Sequence, residues 1–271
     1  MTTNKPIKSC TLSISCVVYD TDYEILAVTI ESLKAALDKA IQLKSLQLYK
    51  FSLINNQTFM PDFFQRAAEF AQQTLENVEI ISGHGNIGYG RGNNLAINKI
   101  DSEFHLILNP DVKLDTLAID EGLKFLMIHD DVGLVAPNAF NEFDAPEYLC
   151  KRTPSPLIIF LRGFNNSLLN RIFKRSLDWY TYKDKLPTDQ PMPIELASGC
   201  FMLCRTKELQ DVGGFSPQYF LYFEDFDLSR KIKKKVFLPS MRIIHLGGKA
   251  ATKGFKHIKL FLTSYLIFLR G

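Results

Sequence analysis

Several features that would assign the chain to a distinct class of protein are scarce or missing. The 271 residues contain one tryptophan, five cysteines and a formal net charge of only +3. A net charge this small gives no reason to expect a nucleic acid as partner. The five cysteines are an odd number without a paired metal-ligand spacing, so we interpret them as reduced thiols of a cytoplasmic protein.

Long hydrophobic runs are also missing. Residues 1–16 contain no apolar run of signal-peptide length, and the runs at 157–161 and 260–269 are too short for a bilayer, which requires about 20 residues. We therefore expect no transmembrane span. Basic residues follow the first run, and KIKKK occupies 231–235. Such a surface is consistent either with contact to anionic lipid or with a solvated face.

What the chain does contain is an alternation of strand and helix patterns. The sequence predicts strands at 11–20, 46–54, 78–82 and 103–109, and helices at 24–40, 61–76 and from 93. This alternation predicts an α/β fold with a doubly wound, largely parallel sheet. We expect one domain over 1–271. Ligands of such sheets bind at the carboxyl ends of the strands, so the loops after Ile54, Ser82 and Leu108 are candidate site loops.

The stretch GHGNIGYGRGNN at 83–94 is rich in glycine and asparagine. It matches G-x-G-x-x-G, but its glycines continue to Gly92, beyond a dinucleotide fingerprint. Glycines let backbone N–H groups approach an anion, and Arg91 would be a phosphate partner. A glycine-rich turn without a ligand is the alternative.

An Asn-Pro-Asp triplet ends the strand pattern LILNPDV. It presents Asp111 beside Asn109 at the expected active edge of the sheet. A carboxylate in this position is a candidate Mg²⁺ or Mn²⁺ ligand if phosphates supply the remaining oxygens. The same three residue types are also typical of a simple turn.

Three acids lie among aromatic residues in FLYFEDFDLSRK. Glu224, Asp225 and Asp227 repel one another, and burial against aromatics would raise the pKa of at least one carboxyl group. A carboxylate with a raised pKa can act as a general base. The alternative is a helix N-terminus that carries acids because the helix dipole favours them.

In order and spacing, these motifs resemble the family 2 glycosyltransferases of the GT-A fold, and within them the rhamnosyltransferase-like branch of bacterial surface-polysaccharide synthesis. The resemblance also includes SCVVYD near the start, KRTPSP at 151–156, ASGCFMLC at 197–204 and IIHLGG at 243–248. It implies a three-layer α/β sandwich, with a nucleotide-sugar half over about 1–113 and an acceptor half over about 114–271. It also implies an inverting hexosyltransferase.

The resemblance further assigns roles to residues. Asp225 would be the general base, with Glu224 beside it, and Asp111 and His245 would bind the metal. Asn55 stands where relatives usually carry an aspartate that reads the nucleotide base, so base recognition is expected to differ. The expected donor-binding residues are Asn55, Asn86, Gly88, Arg91, Asn94, Asn109 and Gly199.

The substrates implied are dTDP-L-rhamnose and a glycan linked to undecaprenyl diphosphate, as in O-antigen or lipopolysaccharide synthesis at the cytoplasmic face of the inner membrane. A UDP- or GDP-sugar donor is the alternative within the family. A nicotinamide-dependent oxidoreductase would use only the glycine motif, and a non-catalytic carbohydrate-binding protein would leave the acids without a role.

Overall fold

A computed structural model describes residues 9–164, 166–247 and 255–271. Ten strands lie in these ranges: β1 (Cys10–Val18), β2 (Leu46–Asn55), β3 (Val78–Ile81), β4 (Phe104–Leu108), β5 (Val112–Leu114), β6 (Leu134–Phe140), β7 (Pro146–Glu147), β8 (Met192–Pro193), β9 (Phe201–Arg205) and β10 (Lys235–His245). The helices are α1 (Tyr23–Gln42), α2 (Asp62–Thr74), α3 (Tyr89–Ile97), α4 (Ala118–Ile128), α5 (Pro156–Phe164), α6 (Ser167–Ile172), α7 (Lys174–Tyr180), α8 (Thr206–Asp211), α9 (Glu224–Lys231) and α10 (Phe255–Arg270).

The strands form one sheet in the order β3-β2-β1-β4-β9-β6-β10-β5, with β7 beside β6 and β8 beside β10. The first four strands of this order are parallel, β9 is antiparallel to β4 and β6, and β10 is parallel to β6. Six of the ten strands therefore run in one direction, and the predicted α/β class with a mostly parallel sheet is confirmed. Because β9 runs against β4, its first residues lie at the same edge as the end of β4.

Local sequence explains why α1 forms and where it packs. The Asp22 side chain accepts a hydrogen bond from the Glu24 backbone N–H over 2.9 Å and caps the first turn. Leu26, Ile30 and Leu33 recur at helical spacing and are fully buried against the sheet. Burial of each such side chain stabilises the fold by about 1.5–3 kcal/mol.

The predicted start of the third helix is wrong by one turn. The pattern predicted a helix from residue 93, whereas α3 begins at Tyr89, inside the glycine-rich stretch. A Cβ atom on Gly90 would lie 2.9 Å from the Phe215 side chain, and one on Gly92 would lie 3.1 Å from Val17. The helix packs so close to Phe215 and Val17 that a side chain at either position would be crowded, which explains why glycines occur inside this helix.

A smaller apolar cluster lies beneath the acidic segment. It joins α5, α9 and α10 through the buried side chains of Ile159, Tyr219, Phe223, Tyr265 and Phe268. Within the described ranges, no helix is both long and apolar enough to span a bilayer. The role of α10 that the structure shows is to support the N-terminus of α9.

Candidate active site

The predicted site residues come from separate parts of the chain and meet at one edge of the sheet. Asp111 follows β4, His245 ends β10, and Gly199 precedes β9. The Asn109 backbone N–H donates to the Cys200 carbonyl over 2.8 Å, which ties the Asn-Pro-Asp turn to the segment before β9. The antiparallel insertion of β9 thus brings the two predicted motifs together.

Asp111 and His245 form a pair, and Glu147 orients it. His245 Nε2 lies 3.6 Å from Asp111 Oδ2, and His245 Nδ1 lies 2.9 Å from Glu147 Oε2. With Nδ1–H donating to the Glu147 carboxylate, the lone pair of Nε2 points toward Asp111, which is the usual arrangement of a metal-binding histidine. Glu147 was not predicted, because it lies 98 residues from His245 in the sequence.

The pair has room for a cation but does not complete a site by itself. Asp111 Oδ1 is buried and has no hydrogen-bond partner among the described residues. A Cβ on Gly247 would lie 1.9 Å from Asp111 Oδ2, so only glycine permits this approach. Within the described ranges, no group of three or more His, Cys, Asp or Glu side chains has metal-binding geometry. One carboxylate and one imidazole fit a divalent cation whose remaining ligands come from a phosphate-bearing substrate.

Asp225 is held by the backbone at the N-terminus of α9. Its Oδ2 accepts from the Gly199 N–H over 2.9 Å, and its Oδ1 accepts from the Phe226 N–H over 2.8 Å. Burial raises the pKa of the Asp225 carboxyl group, and the two backbone donors oppose this effect. The carboxylate is thus oriented, half-buried and more basic than a surface aspartate.

Glu224 is the more strongly perturbed member of the acidic pair. Its side chain is 5% exposed, and Oε2 has no hydrogen-bond partner among the described residues. Burial, together with the charge of Asp225, raises the pKa of Glu224 to about 8. Near neutral pH the pair therefore retains a proton, as expected of a site for general acid–base chemistry.

The backbone before this pair is strained, and aromatic packing holds it in place. Tyr222 and Phe223 have φ angles of 70° and 66°, a region that costs non-glycine residues about 1–3 kcal/mol. The Phe223 ring packs against Phe261, Tyr265 and Phe268 of α10, with centroid distances of 5.1, 5.5 and 5.4 Å. These contacts fix the turn that presents Glu224 and Asp225.

The glycine-rich stretch packs directly on the loop that precedes α9. Gly88 has a φ of 91°, and a Cβ there would lie 2.2 Å from the Phe220 carbonyl oxygen. The Tyr89 N–H donates to the same oxygen over 3.3 Å, and the Tyr89 hydroxyl donates to Gly199 O over 2.6 Å. Close packing against protein accounts for Gly88 without a dinucleotide fingerprint, and it brings Tyr89, which was not predicted, next to the acidic pair.

Two of the predicted donor-binding side chains are engaged within the protein. The Asn94 amide bonds both backbone polar groups of Phe215, over 2.8 and 2.9 Å. Arg91 donates from Nε to Pro217 O over 2.9 Å, and its Nη2 donates to the same oxygen. Direct donor binding by Arg91 and Asn94 stays a prediction, and it would require these contacts to break.

Asn55 and Asn56, at the end of β2, make hydrogen bonds within the protein, and donor binding by Asn55 stays a prediction. Asn55 is buried and donates to Phe59 O over 2.9 Å within its own loop. Its neighbour Asn56 donates to Asn86 Oδ1 and accepts from the Ile87 N–H, each over 3.2 Å. Asn56 therefore holds the glycine-rich stretch, a role that was missed although the Asn-Asn pair at the strand end could have indicated it.

Lys151, whose charge acts on Asp225, was also missed. The Lys151 backbone pairs with Leu196 over 2.9 and 3.0 Å, three residues before Gly199. Burial and the charge of Arg162 lower the pKa of Lys151 to about 8, while the positive charge of Lys151 lowers that of Asp225. The sequence offered Lys151 only as part of KRTPSP.

The chain is similar to known rhamnosyltransferases over about two thirds of its length. It is 27% identical over 191 residues to the N-acetylglucosaminyl-diphospho-decaprenol L-rhamnosyltransferase of Mycobacterium tuberculosis, a match that covers 65% of this chain and 61% of that protein. It is 26% identical over 201 residues to rhamnosyltransferase WbbL of Escherichia coli, covering 64% and 66%. No protein-family model matches the chain.

Solved glycosyltransferase structures share the fold. Mannosyltransferase PcManGT from Pyrobaculum calidifontis, solved with GDP-Man and Mn²⁺, superposes with a TM-score of 0.60 at 12% identity over 98% of this chain and 66% of that one. GalNAc-T7 with UDP, GalNAc and Mn²⁺ gives 0.61 at 11% identity over 89% and 44%. The predicted GT-A fold is thereby confirmed, and over about two thirds of its length the chain is similar in sequence to rhamnosyltransferases, as the motifs had indicated.

Proposed function

We propose that the protein is an inverting glycosyltransferase that moves a sugar from a nucleoside diphosphate to a hydroxyl group of a lipid-linked glycan. The observation that carries this proposal is the meeting of a proton-retaining carboxylate pair, Glu224 and Asp225, with the Asp111–His245 pair at one edge of the sheet. The first pair suits deprotonation of an acceptor, and the second suits a charged leaving group.

The chemistry is a single displacement. Asp225 accepts the proton of the acceptor hydroxyl as its oxygen forms a bond to the anomeric carbon. The bond from that carbon to the diphosphate oxygen breaks, and its electron pair leaves with the diphosphate. Glu224, when protonated, keeps the local negative charge low enough for the acceptor to approach, and Gly199 holds the base in position.

Asp111 and His245 are the residues that would hold a divalent cation, Mg²⁺ or Mn²⁺. When bound, such a cation stabilises the charge that develops on the diphosphate. Glu147 keeps the His245 ring oriented, and Gly247 leaves space at the Asp111 carboxylate. Support for a divalent cation also comes from the two structural neighbours solved with Mn²⁺.

We propose dTDP-L-rhamnose as donor and a glycan on a polyprenyl diphosphate, such as undecaprenyl diphosphate, as acceptor. The support is the name of the mycobacterial relative, which specifies an L-rhamnosyl donor group and a diphospho-decaprenol acceptor. The Asn55 amide donates to the Phe59 carbonyl of its own loop, so selectivity for the nucleotide base would depend on other groups. A UDP- or GDP-sugar is therefore the alternative donor.

The acceptor would be reached from a membrane surface at the cytoplasmic face. One side of α10 presents Ile258, Leu262, Leu266 and Leu269, each about half exposed, while its opposite side packs on Phe223. Lys259 and Arg270 lie on the same helix, which contains no acid. An exposed apolar stripe with basic residues fits an anionic lipid surface.

A thermal-shift panel tests the proposal. We would measure the unfolding midpoint with dTDP, UDP and GDP compounds, each with Mg²⁺, Mn²⁺ or EDTA, because a ligand of the native state raises it. A metal-dependent shift selective for dTDP compounds is expected. A shift selective for UDP or GDP compounds would change the proposed donor but leave the proposed reaction unchanged. If no nucleotide shifted the unfolding midpoint, the result would contradict the proposed function.

A vesicle flotation assay tests the membrane surface. Wild type should float with anionic vesicles at low salt, and Leu262→Asp should reduce the bound fraction. Ile128→Asp on α4 serves as the control, because it replaces an apolar residue elsewhere that is even more exposed, at 65% against 49% for Leu262. Equal flotation of the two variants would contradict this assignment.

A further inference from the structure

We propose that the cleft between α5 and α7 binds the carrier end of the acceptor, namely its lipid-linked phosphate and the first isoprene units. This inference rests on the proposed function, since it assigns a position to a part of that substrate. The cleft lies outside the base and the cation pair described above, and of the motifs that carry the family resemblance only KRTPSP contributes to its lining, through Ser155.

The cleft has two kinds of wall. Its volume is about 300 Å³, and it is lined by Ser155, Leu157, Ile158, Arg175, Ser176 and Trp179. Three of these side chains are apolar, and the other three carry hydroxyl or guanidinium groups. A ligand that matches both walls has an apolar chain joined to an anionic group.

Arg175 supplies the positive charge of the cleft without a protein partner. Among the described residues it makes no ion pair and no hydrogen bond, whereas the nearby Asp178 is paired with Lys174. From residue 156 to residue 180 the chain carries four basic residues and one acid. An unpaired arginine beside two hydroxyl groups is suited to a phosphate, to which guanidinium donates in a bidentate manner.

Trp179 and Leu157 supply the apolar wall. They are 48% and 43% exposed, so a bound chain would cover apolar surface that now faces water. Burial of that apolar surface favours binding. A free nucleotide offers no comparable apolar chain, so an isoprenoid fits this wall better.

The cleft connects to the catalytic base through α7. Tyr180 follows Trp179 in the chain, is buried, and lies 5.4 Å beneath the Arg162 guanidinium. Burial raises the pKa of Tyr180 to about 12, with the charge of Asp225 adding to the effect. Arg162 is thus a further cation next to α7; its charge acts on Lys151, and the charge of Lys151 acts on Asp225. A diphosphate between the sugar hydroxyl at Asp225 and a lipid chain at Trp179 would pass these cations.

The experiment uses the natural reporter in the cleft, because Trp179 is the only tryptophan of the chain. The full chain is titrated with farnesyl diphosphate in vesicle-free buffer, and the emission of Trp179 is followed. We expect a saturable blue shift with farnesyl diphosphate, and none with inorganic diphosphate or with a short-chain anionic phospholipid at the same concentration.

Arg175→Ala should raise the dissociation constant of farnesyl diphosphate about tenfold, since it removes a charge-assisted contact. Arg171→Ala removes the same charge from the neighbouring helix α6, outside the cleft, and should bind like wild type. Because Arg175 is exposed, the Arg175→Ala variant should have the same unfolding midpoint as wild type. An unchanged midpoint would show that weaker binding does not come from a folding defect.

Three results would overturn the inference: no saturable change in Trp179 emission, equal weakening by the two arginine variants, or an equal response to the phospholipid. A nucleotide titration of the same samples separates the two proposals. If dTDP with Mn²⁺ still binds while farnesyl diphosphate does not, the cleft assignment fails and the proposed function stands. If neither dTDP nor farnesyl diphosphate binds, the result contradicts the proposed function and, with it, the cleft assignment that rests on it.

Discussion

The backbone N–H of Gly199 donates to Asp225 Oδ2 over 2.9 Å, and a Cβ on Gly199 would lie only 3.1 Å from the Asp225 Cβ. This contact joins the segment before β9 to the first turn of α9, two parts of the chain that are 26 residues apart. It leaves the carboxylate oriented toward the edge of the sheet where Asp111 and His245 lie. The position of the proposed base is therefore set by backbone rather than by a flexible side chain.

Asp225→Asn should abolish sugar transfer while leaving donor binding nearly unchanged. The amide keeps the shape of the side chain but cannot accept the acceptor proton, and general base catalysis contributes about 10²–10⁴ in rate. Single-turnover transfer assays and calorimetric titration with the donor would measure the two effects. Asp227→Asn makes the same chemical change two residues later, at a buried carboxylate that pairs with Arg230 and Lys231. That control should lower stability and retain turnover, and a fully active Asp225→Asn would remove Asp225 from the role.

Glu224→Gln should make the protein more stable at alkaline pH. The folded-state pKa of Glu224 is raised to about 8 from 4.5, so the folded state binds the proton more tightly than the unfolded chain. The free energy of unfolding of wild type should therefore fall as pH rises from 4.5 to about 8. Glutamine removes this dependence, so at pH 9 the variant should have a free energy of unfolding on the order of 2 kcal/mol higher than that of wild type.

Urea unfolding of both proteins at several pH values measures this difference. The gain should vanish below pH 4.5, where the glutamate is protonated in both states. Parallel pH profiles for wild type and Glu224→Gln would contradict the raised pKa.

Glu147→Gln should weaken divalent cation binding in the presence of a nucleoside diphosphate. The substitution keeps the size of the side chain but removes the charge that orients His245. Loss of such a partner lowers metal affinity by about 10–100-fold. Titration of Mn²⁺ by electron paramagnetic resonance measures the affinity, with Asp111→Ala as the variant expected to abolish binding. Unchanged Mn²⁺ affinity in both variants would exclude the Asp111–His245 site.

Gly88→Ala should destabilise the protein by at least about 2 kcal/mol more than Gly83→Ala. The two glycines have nearly equal φ angles, 91° and 89°, but a Cβ on Gly83 meets no atom within 4 Å. The alanine at position 88 would displace the Phe220 carbonyl, and with it the turn that presents the acidic pair. Urea unfolding measures the difference, and Gly88→Ala should also lose transfer activity. Equal costs for the two variants would show that the close approach to Phe220 is not important.

The elements of the fold were largely predictable, because each follows from a local pattern. The apolar, almost fully buried strand β1 and the helical spacing in α1 are properties of short segments, and both were found within two residues of the predicted limits. The start of α3 was not predictable in this way. Its glycines indicated a loop, whereas contacts with Phe215 and Val17 make glycine necessary within a helix.

The candidate site was predictable only in part. Asp111 and Asp225 each lie in a recognisable motif, and the fold brings both motifs to one edge of the sheet. The sequence around Glu147 and Tyr89 does not indicate their roles, because their partners His245 and Gly199 lie 98 and 110 residues away. Such pairs depend on the strand order of the sheet, which a local pattern does not specify.

By itself, the sequence determined the types of side chain available for chemistry and the order of strands and helices, because periodicity and turn chemistry act over a few residues. Only the tertiary structure decided which of these groups meet. It engaged Asn94 with Phe215 and Arg91 with Pro217, oriented His245 through Glu147, and placed Arg175 beside Trp179. The physical reason is that a hydrogen bond or close contact requires a separation of a few ångströms, and for distant residues that separation is set by how the strands cross and pair.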